Sequence, residues 1–156
     1  MVQKTPITPA ALYETDETAW LEHTAGLLRD GRLVELDLLP LAEYLNDMAK
    51  RDRREVYSRL VVLFAHLLKW EYQLEGRCGS WQATLFEQQR ELRQLLESAT
   101  LRNHAEAVLG DAYTDARNQA AAETGLARSA FPPACGWDLD AALADPGEQA
   151  ERVEAD

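Results

Sequence analysis

Cysteine is scarce in this chain. Cys78 and Cys135 are the only two in 156 residues, too few for a disulfide framework. No cationic start followed by an apolar leader is evident. We therefore expect free thiols in a cytoplasmic, reducing setting. Long apolar runs are also missing. The longest, Leu60 to Leu68, has nine residues and is interrupted by His66. A membrane-spanning helix needs about 20, so no membrane role is expected. Positive charge is outweighed: 16 Lys and Arg stand against 27 Asp and Glu, a net charge of −11. Broad binding to nucleic acid or to anionic membranes is not expected. Much of the excess lies at the end, where Asp138 to Asp156 hold seven acids and one Arg. Runs alternating between apolar and polar residues are lacking, so no strand is predicted.

Helical spacing is what the chain has. After an N-terminal arm over 1–11, Thr15-Asp16-Glu17-Thr18 marks a helix start, with a capping residue and then acids. That helix runs to about Asp30, and Gly31 suits its end. A second helix opens near Leu38, with Asp37 as cap. Its stripe is Leu41, Leu45, Met48, Val56, Leu60, Leu63, Leu67, Trp70 and Leu74, in helical steps. Spanning Leu38 to Glu75, it would be about 55 Å long. No Gly or Pro breaks it near Lys50 to Arg54, and a nearly continuous helix is predicted. Tyr57, Val61, Phe64, Leu68 and Tyr72 form a second stripe. A helix apolar on most sides is central in a bundle or lies at an oligomer interface.

Ser80 is predicted to cap a third helix from Trp81 to about Ala99. The fourth, from about Asn103 to Glu123, has a stripe of small residues: Ala105, Leu109, Ala112, Ala116 and Ala120. Gly125 closes it. Phe131-Pro132-Pro133 is extended. Trp137, Leu139 and Leu143, with Asp138 as cap, are expected to seal one end of the bundle. The fold expected is all-α: an up-and-down bundle of about four main helices, with a long second helix and a short capping helix. One domain over 12–145 is expected, with a disordered acidic tail over 146–156. Trp20, Trp70, Trp81, Tyr113 and Phe131 are taken as packing anchors.

Catalytic and metal signatures are sparse. No histidine has an acid three residues before it, as di-iron bundles require. Glu43 and Asp47 share a helix face and are read as solvated. The cysteines lack nearby ligand partners, so neither metal nor cofactor is expected. No Gly-x-Ser-x-Gly occurs. Gly76-Arg77-Cys78-Gly79-Ser80 precedes a helix but lacks the spacing and Lys of a phosphate loop. It is read as a turn. The basic run Lys50 to Arg54 is expected to pair with acids of neighbouring helices. One ribbon stands out: Glu55, Arg59, Val62, His66, Lys69 and Gln73. Polar groups on a buried helix are costly unless partnered. The plainer reading is a hydrogen-bonded network fixing helix register. The sharper one is a ligand or anion site using His66, Lys69 and Gln73, with Arg90, Arg117 and Glu123 from other helices.

The residues Leu67-Leu68-Lys69-Trp70 after His66, then Tyr72-Gln73, Ser80-Trp81, Gln89-Arg90 and Leu92-Arg93 form a joint pattern. It continues in Tyr113, Ala116-Arg117, Ala121 to Leu126, Phe131-Pro132 and Cys135. Leu12 to Asp16, Trp20, Gly31-Arg32 and Leu36-Asp37 belong to it as well. The pattern resembles the bacterial family catalogued as domain of unknown function twenty-nine, over about Leu12 to Leu143. Trp137 and Gly79 depart from it. The resemblance implies a small all-helical fold and no established activity.

Three functional expectations follow. The leading one is a non-enzymatic interaction module, a homodimer joined through the Val56–Tyr72 helix. The second is the small-ligand or anion site just described, with or without catalysis. The third is an acidic, antitoxin-like partner of a basic protein.

Overall fold

A computed structural model describes residues 8–144. Among these the secondary structure is entirely helical. The elements are α1 (Pro9–Thr15), α2 (Glu17–Arg29), α3 (Leu38–Tyr72), α4 (Gly79–Leu95), α5 (Ala99–Thr124) and α6 (Leu139–Leu143), with short 3-10 turns at Leu33–Glu35, Leu74–Gly76 and Arg128–Ala130. The chain is an all-α helical bundle. It forms two compact units, divided between Lys50 and Arg51. The expected acidic tail over 146–156 lies outside the described residues.

The helix ends follow from local chemistry. Pro9, expected within an arm, instead opens α1: its ring fits the first helical position, and Thr8 Oγ1 accepts from Ala11 N–H at 3.3 Å. Asp16 caps α2 through Ala19 N–H at 3.0 Å. Asp138 caps α6 through Ala141 N–H at 2.7 Å. Ser98 caps α5, which therefore begins four residues before the predicted Asn103. The third predicted helix also starts early. Its cap position is Cys78, whose carbonyl accepts from Trp81 and Gln82 N–H, so Ser80 sits within the first turn. Gly125 ends α5 with φ +71°, a left-handed conformation that costs glycine nothing. Gly76 answers a different constraint. A Cβ there would lie 2.7 Å from Trp81 Cη2, nearer than packed atoms come.

α3 is one unbroken helix of 35 residues. In the first unit, Trp20 is buried between two tyrosines, with ring centroids 4.7 Å from Tyr13 and 5.7 Å from Tyr44. Thr24 and Leu27 are buried beside it in sequence on α2. In the second unit, the core is built on the C-terminal part of α3. Val56, Leu60, Leu63, Phe64, Ala65, Leu67 and Leu68 are buried there, with Leu85 and Leu92 of α4 and Leu139 and Leu143 of α6. α5 contributes Tyr113 and four fully buried alanines, Ala105, Ala112, Ala116 and Ala120. Both apolar stripes of α3 are thus largely covered by the same chain. They no longer call for a second copy over Val56–Tyr72, because the helix is central in its own unit.

Leu60 is fully buried, while Leu39 is 70% exposed. Leu60→Ala should cost roughly 2–5 kcal/mol through lost burial and a residual cavity. Leu39→Ala should stay within about 0.5 kcal/mol. Urea unfolding followed by circular dichroism checks the contrast.

Candidate functional site

The polar ribbon of α3 ends in a buried charge. Lys69, in the last turn of α3, is 5% exposed. Its Nζ meets Glu123 Oε2 at 2.5 Å and His66 Nε2 at 3.3 Å. It also lies 4.9 Å from the centre of the Trp81 ring. Two helical turns of α5 supply the carboxylate and its support: Gln119 donates to Glu123 Oε1 at 2.9 Å. Three helices, α3, α4 and α5, therefore converge on one ammonium.

The imidazole tautomer follows from its partners. The Val62 carbonyl, 2.9 Å from His66 Nδ1, only accepts. The proton therefore sits on Nδ1, and Nε2 accepts from Lys69. A neutral ring fits this arrangement. Burial pushes the His66 pKa below its ordinary 6.5, and Lys69 adds to the fall, against the Val62 hydrogen bond and Glu123. At Glu123, burial raises the pKa, but hydrogen bonds from Lys69 and Gln119 and the Lys69 charge outweigh it, and the carboxyl titrates below its usual range. The ammonium thus has a carboxylate, an imidazole nitrogen and a ring face beside it.

The other predicted site residues go elsewhere. Gln73 ends α3 through its N–H to Lys69 O and makes no side-chain hydrogen bond among the described residues. Arg90 is exposed and pairs with its neighbour Glu91 at 2.8 Å. Arg117 holds the Arg128 and Phe131 carbonyls at 3.0 Å each, and its Nε is buried without a partner. Its work is to tie the loop after α5 to that helix. Arg59 makes the expected pair with Glu55 at 2.9 Å, and reaches Gln88 and Glu91 of α4.

The tryptophans are less uniform than anchors would be. Trp20 is buried, as are Tyr113 and Phe131. Trp70 and Trp81 are only half-buried, and each has a cation on its face: Arg77 lies 4.8 Å from the Trp70 ring, and Lys69 lies over Trp81. The Lys50 to Arg54 run also departs from expectation. Lys50 reaches Asp47 at a loose 3.9 Å, and Arg53 and Arg54 make no ion pair among the described residues. With Tyr57, Ser58 and His104 they line an open groove of about 400 Å³. Two features escaped the sequence reading. Gln119 is spaced i,i+4 from Glu123, a signal that was available. Cys78, whose Sγ lies 3.1 Å from Ser80 Oγ, has its thiol pKa lowered chiefly by that contact.

Residues 12–146 match the family described as Domain of unknown function DUF29. The chain belongs to this family. No curated protein matches the chain, and no solved structure does. Membership in DUF29 agrees with the all-helical fold. Among the described residues no helix is long and apolar enough to cross a membrane, and no group of three or more His, Cys, Asp or Glu is placed to hold a metal ion.

Two tests address the Lys69 cluster of this DUF29 chain. Glu123→Gln leaves a buried ammonium without its counter-ion and should cost about 1–3 kcal/mol, moderated because Glu123 is itself 39% exposed. Lys69→Met together with Glu123→Gln should cost less than the sum of the single changes, as read from denaturant unfolding. The pH dependence has a definite sign. Both His66 and Glu123 titrate lower folded than unfolded, so the unfolded chain binds more protons. Their contributions are fully present at neutral pH. The His66 part is lost as pH falls below about 6.5, and the Glu123 part below about 4.5. His66→Gln should remove the upper part of this acid loss in a pH series of melting temperatures.

Proposed function

We propose that this DUF29 chain is a non-enzymatic interaction module that forms a homodimer through the surface between Leu28 and Leu45. The supporting observation is a concentration of exposed apolar side chains. Leu28, Leu33, Val34, Leu38, Leu39 and Leu45 are 47% to 101% exposed. They fall within one stretch of the first unit, spanning the end of α2, the Leu33–Glu35 turn and the start of α3. Scattered exposed leucines need no explanation, but six exposed apolar residues between positions 28 and 45 favour an interaction surface there. Two-fold self-pairing is the commonest way for a chain to cover such a surface. The Lys69 cluster supports this reading from the other side. The partners of its buried ammonium come from this chain, which favours a role in the fold over one in ligand binding.

A second reading has its own support. The net charge of −11 favours a basic protein as the occupant of the same apolar surface. Sedimentation equilibrium separates the two. A dimer at micromolar concentration is expected for the native chain. Leu38→Glu with Leu39→Glu should return it to monomer without changing helical content, since both positions are exposed and acids suit a first helical turn. A native chain that stays monomeric across the concentration range overturns self-association.

A further inference from the structure

The loop after α5 and the end of α3 border a small, partly open cavity. Its volume is about 230 Å³, and Glu71, Tyr72, Tyr113, Pro132, Gly136 and Trp137 line it. Three of these six residues are aromatic, and the core holds their rings from behind. Trp137 stacks on Phe64 with centroids 6.1 Å apart and planes 20° from parallel. It meets Tyr113 at 6.3 Å and 63°. Tyr72 stands edge-on to Phe131 at 5.8 Å. The Tyr113 hydroxyl is committed to the Pro132 carbonyl at 2.9 Å. Glu71 has no hydrogen bond or ion pair among the described residues. Its side chain is exposed at the cavity mouth, and the partial burial it has raises its pKa, against the opposing pull of Arg77.

We propose that this cavity binds a small alkylated ammonium head group, with the aromatic residues Tyr72, Tyr113 and Trp137 lining it and Glu71 as its counter-ion. Aromatic rings attract cations through their negative faces, and rings grouped in this way recognise quaternary ammonium. A primary ammonium carries three N–H donors, each needing an acceptor. The lining offers one carboxylate, Glu71, and otherwise only the remaining lone pairs of oxygens such as the Tyr113 hydroxyl and the Pro132 carbonyl, which already bond to each other. An alkylated head group has few or no donors to satisfy. Size agrees: pockets for drug-sized ligands run to roughly 300–1,000 Å³, and this cavity is smaller. The acidic chain draws cations toward its surface. Two cations stand nearby, but both are engaged. Arg77 lies over the Trp70 ring and donates to the Trp70 carbonyl at 2.7 Å, and Arg117 grips two loop carbonyls. Their charge keeps the expected affinity in the millimolar range.

The test is a titration of the full chain with choline, and separately with 3,3-dimethylbutan-1-ol, its uncharged carbon isostere. The indole N–H signal of Trp137 is followed by NMR after assignment. Choline should give a saturable shift, and the isostere should bind roughly fivefold to thirtyfold more weakly. Glu71→Gln should weaken choline and leave the isostere unchanged. Tyr72→Leu should weaken choline as well. Glu71 and Tyr72 are both exposed enough for these variants to fold. Phosphatidylcholine vesicles form a second arm. Trp137 shifts that require vesicles assign a lipid head group, and shifts with free choline alone assign a soluble cation. Equal affinity for choline and its isostere overturns the proposal, and so does the absence of any saturable shift.

Discussion

Removing a lysine charge from water costs several kcal/mol unless partners replace the lost hydration. Lys69 meets that demand with groups from three helices. The neutral imidazole comes from one turn earlier on α3, the carboxylate from the end of α5, and the ring face from the start of α4. These partners are far apart in sequence, so the requirement fixes how the helix ends approach one another. Hydrophobic burial is tolerant of small rotations. A buried ammonium between a carboxylate and an imidazole is not. The apolar core of the second unit thus supplies the driving force, and the polar cluster narrows its geometry.

The constraint also explains the turn between α3 and α4. Trp81 must lie under Lys69, which brings its ring against the backbone at Gly76. A side chain at that position would meet the indole. The turn is short because the tryptophan is needed close to the end of the preceding helix, and glycine makes the approach feasible.

Much of the fold was legible in the chain. The 3.6-residue spacing of the leucines of α3, the capping residues Asp16 and Asp138, and the closing glycines Gly31 and Gly125 all have local causes. A pattern read one window at a time captures local causes. Ser98 and Cys78 were not expected at helix starts because Asn103 and Ser80 offered later ones, and Cys78 gives its helix no side-chain cap. The cluster was only half legible. His66 and Lys69 share a helix face by spacing, and Glu123 arrives from α5, two helices further along the chain. Arg90 and Arg117 have the same chemistry as useful ligands, yet their partners, Glu91 and two loop carbonyls, are set by tertiary placement. The double stripe of α3 was ambiguous for a similar reason. Sequence shows that a helix must be covered on most sides, but not whether its own chain does the covering.

The four buried alanines of α5 have a consequence of their own. Fixing a long side chain in a core costs up to about 2 kcal/mol of rotamer entropy, whereas alanine has none to lose. α5 therefore docks with no side-chain ordering cost at Ala105, Ala112, Ala116 and Ala120. It gives up hydrophobic area in exchange, since an alanine buries less than a longer side chain. Such an interface is least tolerant of enlargement. All four alanines are fully buried, so a larger side chain at any of them has to displace its neighbours.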